Sequence, residues 1–265
     1  MKHWLDYHDL VFLGESNHGL YFRARPPARL GIDSDVAIKV LVSDASDHQW
    51  HSVAREIRHL ERISSPYVVR FFEAGHDRGR LYFAMEYAVM GTLARPARPL
   101  SRWERLRALA HGTRGLQELH GMGVVHRDVK PAKILVHEAG GRLNDLGIAE
   151  DNFVSQGAIP TGSIGFMAPE VARGEHATAR SDLFSVGATL HLLLTGQGIF
   201  PGIPRRDMLA ALQHIARTAP SLADAPDTPR LLDLARGCLA ADPGDRPPDA
   251  ATVADLMEAA LDEVA

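Results

Sequence analysis

Up to about residue 86, apolar positions come in short runs at 10–13, 20–24, 36–42, 68–73 and 81–85. These runs are rich in β-branched, aromatic and aliphatic residues, and each predicts a strand. One stretch has a different period. Val53, Ile57, Leu60 and Ile63 recur at helical spacing, so a helix over roughly 47–63 is expected, stopped by Ser64-Ser65-Pro66. From about residue 101 the helical period dominates, first in Leu106, Leu109, Leu116 and Leu119 and then over 183–194, 208–215, 231–239 and 250–261. Between the two regions Tyr87-Ala88-Val89-Met90-Gly91-Thr92 holds a glycine and no strong period, which suits a connector. Arg95-Pro96-Ala97-Arg98-Pro99 and the Pro-rich 201–204 read as surface loops. The pattern predicts an α+β chain of two lobes: a small β-rich lobe with one helix at 1–86, a connector at 87–92 and a larger, mainly helical lobe at 93–265.

Composition narrows this picture. The chain has 265 residues, 45% of them hydrophobic, enough for a substantial core. With 29 Lys and Arg against 33 Asp and Glu, the net charge of −4 provides no basic field, so neither nucleic acid nor a membrane surface is an expected partner. The longest apolar region, 183–195, is interrupted by Ser185, Gly187, Thr189 and His191 and falls short of the roughly 20 residues a bilayer requires, so it reads as a core helix. The single cysteine, Cys238, has no intramolecular disulfide partner, and the start Met1-Lys2-His3-Trp4-Leu5-Asp6 lacks the apolar stretch of a secretory signal. A cytoplasmic setting is expected. None of the 14 histidines falls in a paired metal-ligand spacing. The arginines at 95, 98, 102, 105 and 107 read as a solvated face, with docking of an acidic partner as the alternative.

The chemistry concentrates in a few strings. In His126-Arg127-Asp128-Val129-Lys130-Pro131 a carboxylate and an ammonium stand two residues apart just after a helix. Phosphoryl transfer uses both: the carboxylate orients a hydroxyl and accepts its proton, and the cation offsets charge on the migrating group. Further on, Asp145-Leu146-Gly147 follows a stretch from Ile134 to Leu143 that suits a hairpin, and a carboxylate beside a glycine is a hard ligand for magnesium. Upstream, Lys39 lies in the predicted strand Val36-Ala37-Ile38-Lys39, and Glu56 lies on the predicted helix as its ion-pair candidate. In Leu13-Gly14-Glu15-Ser16-Asn17-His18-Gly19 the missing side chains let backbone N–H groups approach an anion.

Taken in their order along the chain, these strings resemble the protein kinase domain, and Lys130 is the serine/threonine-type residue of its catalytic loop. The resemblance runs from Leu13 to Pro247 and takes in Ala168-Pro169-Glu170, Asp182 and Asp245-Arg246-Pro247. It implies the two-lobed kinase-like fold and transfer of the ATP γ-phosphate, with Mg2+ or Mn2+, to a protein hydroxyl. It further implies Asp128 as catalytic base, Lys130 beside it, Lys39 on the α- and β-phosphates held by Glu56, Asp145 as metal ligand, and Ser163 lining the acceptor site. The nucleotide contacts it implies are Leu13, Gly14, Gly19, Tyr21, Ala37, Met85, Glu86, Ala88 and Leu135. His126, Arg127, Gly147, Asp182 and a Glu170–Arg246 ion pair are the implied supports, and Ser155 and Thr161 are candidate phosphorylation sites.

Three residues depart from the pattern. Ser16 stands at the usual second glycine, Tyr21 at the usual small β-branched residue, and Lys133 at the asparagine that binds a second magnesium. An ammonium has three donors and no acceptor, so Lys133 cannot be that ligand. The sequence leaves open whether Lys133 removes one metal site, itself replaces the metal, or swings to solvent. The expected activity is therefore a serine/threonine kinase with altered metal use. A pseudokinase scaffold and a small-molecule kinase are the alternatives.

Overall fold

The computed structural model describes residues 3–4, 6–16, 19–41, 64–77, 79–145, 164–204 and 206–264. The helix expected over 47–63, with Glu56, lies outside them, as do Gly147, Ser155, Thr161 and Ser163. Internal contacts divide the chain into two units, one running to Val89 and one beginning at Met90.

The first unit is an antiparallel sheet of six strands, β1 (His3–Trp4), β2 (Tyr7–Ser16), β3 (Gly19–Arg25), β4 (Val36–Leu41), β5 (Phe71–Asp77) and β6 (Arg80–Glu86), in the order β1-β2-β3-β4-β6-β5. Alternation decides its faces. Val36, Ile38 and Val40 pack on one side with Tyr7, Ala24, Tyr82 and Ala84, which leaves Ala37 and Lys39 on the other. Polar groups close the edge of this core: the Glu73 carboxylate accepts from Tyr7 Oη at 2.6 Å and Tyr82 Oη at 3.1 Å and pairs with Arg29, which also pairs with Asp6.

One strand is displaced from its sequence-based frame. The run at 68–73 predicts a strand, but the regular ladder occupies Phe71–Asp77. Ser65 Oγ accepts from Tyr67 N at 2.9 Å, a turn that carries the chain past Val68 and Val69 before the ladder begins. Both valines are buried nonetheless, and their burial is what the apolar run records.

In the second unit all the α-helices lie beyond residue 101: α1 (Arg102–Gly121), α2 (Pro169–Ala172), α3 (Ala179–Thr195), α4 (Met208–Arg217), α5 (Pro229–Cys238) and α6 (Ala250–Ala259). A reciprocal cap starts α1: Ser101 Oγ accepts from Glu104 N at 3.1 Å and Ser101 N donates to Glu104 Oε2 at 2.7 Å. Small residues among its leucines, Ala108, Ala110, Gly112 and Gly115, are buried too, so neighbours approach on several sides. A short second sheet runs β10-β9-β7-β8, with β7 (Gly91–Thr92), β8 (Arg95–Pro96), β9 (Ile134–His137) and β10 (Gly140–Leu143). The arginine and proline stretch expected as plain loop thus supplies a two-residue strand. The β9–β10 hairpin lies directly on α1, and a Cβ at Gly141 would sit 2.2 Å from the Ala108 carbonyl oxygen. Lys133 and Asn144 flank the two ends of the hairpin. No helix among the described residues is long and apolar enough to cross a membrane.

Candidate active site

In the second unit the loop after α1 hangs from one buried carboxylate. Asp182, near the start of α3, accepts at Oδ2 from His126 N and at Oδ1 from Arg127 N, both at 2.8 Å, and His120 Nε2 at the end of α1 lies 2.8 Å from Oδ2. With its N–H gripped in this way, Arg127 holds a φ of 68°, the left-handed region that a side chain ordinarily avoids. The bend turns the chain so that Asp128 follows in place.

His126 is fully buried and joins two segments. Its Nδ1 accepts from Asp128 N at 3.3 Å, and its Nε2 donates to the Asn144 carbonyl at 3.0 Å. That pattern requires the neutral ring, and burial pushes the imidazole below its ordinary value. Asn144 N in turn donates to Lys133 O at 2.8 Å. These bonds draw Asp128, Lys133 and Asp145 together, and Asp145 itself turns with a φ of 62°.

Four charged side chains result. Lys130 Nζ lies 2.8 and 2.6 Å from the two Asp128 oxygens. Lys133 Nζ pairs with Asp145 Oδ2 and lies 3.3 Å from Asp128 Oδ2. The side chains of Asp128, Lys133, Lys130 and Asp145 are only 9, 10, 14 and 14% exposed, so water screens these contacts poorly. Burial alone would raise the Asp128 carboxyl, but the ammoniums of Lys133 and Lys130 outweigh it and hold the group below its ordinary value. Asp128 is therefore an ionised, fixed acceptor at neutral pH. Leu135 lies next along β9, buried, and pairs with Thr92 of β7.

A separate ion pair braces this unit. Arg246 donates to the two Glu170 oxygens at 2.6 and 2.8 Å, and Ser181 Oγ adds a third bond to Glu170 at 2.9 Å. The guanidinium also stacks 5.0 Å from the Phe184 ring.

The first unit holds the other sequence-predicted residues. Gly14 has a φ of 151°, and the β2–β3 ladder shifts register between Phe12 and Gly14, leaving Leu13 exposed. Gly19 is dictated by space, since a Cβ there would lie 2.6 Å from the Val40 carbonyl oxygen. Ala37 pairs with Met85 across β4 and β6, Glu86 ends β6, and Ala88 is buried just beyond. Lys39 is 5% exposed, and its ammonium lies 5.6 Å from the centroid of the Tyr21 ring. Residue types alone do not announce that contact. It follows from the β3–β4 register, which places Tyr21 opposite Lys39, and the ring face attracts the cation.

Comparison with known sequences gives the family. The protein kinase domain family matches residues 7–259. Serine/threonine-protein kinase PknB of Mycolicibacterium smegmatis is 32% identical over 246 residues, 86% of this chain and 39% of that protein. The DNA damage-responsive serine/threonine-protein kinase RqkA of Deinococcus radiodurans is 30% identical over 231 residues, 82% of this chain and 34% of the relative. Serine/threonine-protein kinase ppk11 of Schizosaccharomyces pombe is 31% identical over 255 residues, 91% of this chain and 77% of the relative. The chain thus spans a little over a third of the length of the two bacterial relatives. With the family match covering nearly its whole length, this chain belongs to the protein kinase domain family.

Proposed function

We propose that this chain transfers the γ-phosphate of ATP to a serine or threonine hydroxyl of a protein substrate. The observation that carries the reading is the Asp128 carboxylate, held ionised between Lys130 and Lys133 on a loop suspended from Asp182. Phosphoryl transfer passes through a loose transition state, so catalysis is mostly positioning and charge stabilisation. Asp128 is a weak base but a fixed one: it orients the incoming hydroxyl and takes the proton as the new bond forms. Lys130, two residues on, offsets charge on the transferring group.

Kinase domains generally use ATP with Mg2+. Among the described residues no group of three or more acidic, histidine or cysteine side chains gathers around a cation position. Asp145 nonetheless suits one magnesium ion, which prefers few carboxylates and fills its shell with phosphate oxygens and water. Such an ion would neutralise phosphate charge. At position 133, where the family pattern has a second oxygen ligand, this chain offers an ammonium.

The reading carries the nucleotide contacts of the family pattern: Leu13, Gly14, Gly19, Tyr21, Ala37, Met85, Glu86, Ala88 and Leu135, with Lys39 on the phosphates and Glu56 as its partner. Ser163 completes the acceptor site, Gly147 gives the metal-binding turn its freedom, and Ser155 and Thr161 are the phosphorylation candidates. A cytoplasmic setting and Mn2+ as an alternative ion belong to the same proposal.

The test is transfer from labelled ATP to a generic acceptor protein with Mg2+ or Mn2+. Asp128→Asn keeps the shape and is expected to lower the rate by about 10²- to 10⁴-fold. Wild-type protein that binds nucleotide yet transfers no phosphate with either ion would replace this reading with that of a binding scaffold.

A further inference from the structure

Lys133 has been drawn into the site. It closes a short 3₁₀ turn, Pro131–Lys133, in which its own N–H donates to Lys130 O at 2.9 Å. Its carbonyl accepts from Asn144 N at 2.8 Å, and Asn144 O accepts from His126 Nε2 at 3.0 Å. The backbone on both sides of the ammonium is therefore tied down. Its side chain is 10% exposed, and Nζ touches carboxylates from two segments, Asp145 Oδ2 directly and Asp128 Oδ2 at 3.3 Å.

Lys133 thus sets a positive charge against both carboxylates, the charge that a second ion beside Asp145 would supply. An ammonium supplies one charge and three donors, finds acceptors in the two carboxylates and, being covalently attached, does not dissociate. It also opposes a second ion at the position its Nζ occupies, since like charges about 4 Å apart in a poorly screened site repel strongly.

We propose that Lys133 is a protein-borne substitute for one divalent ion, so that the nucleotide complex of this chain takes up a single ion in place of the two held by kinases with an asparagine at this position. This deepens the kinase reading and rests on it. The charge that other chains recruit from solution is built into this one, and its metal requirement is correspondingly smaller.

The experiment counts ions. The chain is saturated with a non-hydrolysable ATP analogue and titrated with Mn2+, free Mn2+ being read by electron paramagnetic resonance, while a fluorescent nucleotide reports nucleotide binding separately. Wild type is expected to bind one ion per nucleotide complex. Lys133→Asn and the longer amide Lys133→Gln are expected to gain a second, bound about a hundredfold more tightly than any second ion on wild type. Lys133→Arg keeps the cation and stays at one. Two comparable ions on wild type, or one ion on both amide variants, would overturn the proposal and leave the kinase reading standing. A folded wild-type chain that binds no nucleotide would overturn both.

Discussion

The buried pair of Glu170 and Arg246 allows a quantitative test of what braces the helical unit. Replacing Glu170 with glutamine keeps the shape but removes the charge, turning an amide N–H₂ or a neutral oxygen toward a guanidinium whose side chain is 0% exposed. Two charge-assisted hydrogen bonds, at 2.6 and 2.8 Å, lose their ionic character at once. Leaving one member of a buried pair uncompensated costs about 3–5 kcal/mol, a large part of the ~5–15 kcal/mol that stabilises a typical domain. Urea unfolding followed by circular dichroism in the helical band is the assay, because every α-helix of the described residues lies in the second unit. The midpoint should fall by about 1–2 M. Arg246→Met should cost more, since it also strips bonds from the carbonyls of Arg180 and Ala240. The double variant Glu170→Gln with Arg246→Met should cost less than the two singles together, because no lone charge remains. Acid adds a check. Burial would raise Glu170, but its bonds to Arg246 outweigh burial and hold it below its ordinary 4.5. A carboxyl depressed in the folded state contributes stability above that value and loses it as pH falls, so Glu170→Gln should flatten the acid limb. A loss below about 1 kcal/mol, or singles that simply add, would refute the picture of a desolvated pair.

Asp182→Ala should destabilise by roughly 2–4 kcal/mol, because the buried N–H groups of His126 and Arg127 lose their acceptor; it should also lower phosphate transfer as the loop holding Asp128 relaxes. Thermal unfolding and the transfer rate check the two halves separately. Gly141→Ala should lower the thermal midpoint by several degrees, about 1–3 kcal/mol, since its Cβ meets the backbone of Ala108. Gly121→Ala, with nothing within 4 Å, is the control and should change stability by no more than about 1 kcal/mol.

Much of the architecture was legible because it rests on periodicity. An apolar β-branched run at 36–42 and a helical period at Leu106, Leu109, Leu116 and Leu119 are local properties, and β4 and α1 lie where these predict. The shift of β5 shows the limit: an apolar run records burial, whereas the start of a ladder depends on the turn at Ser65. His3–Trp4 and the two-residue strands β7 and β8 were not legible, because elements so short carry no period. The candidate site divides similarly. Asp128, Lys130 and Asp145 stand out by motif, but the contact between Tyr21 and Lys39 belongs to strand register, and no residue type signals the left-handed φ of Arg127 and Asp145.

What the sequence determined by itself was the inventory: short apolar and helical runs, and the order of a few charged residues that marks the family. Only the tertiary structure decided the fate of Lys133. Of the outcomes the sequence left open, the structure shows the ammonium turned inward, buried against Asp128 and Asp145. The reason is physical: a flexible lysine stem can reach many places, and selection among them comes from long-range backbone bonds, through His126, Asn144 and Asp182, that bring two carboxylates within its reach.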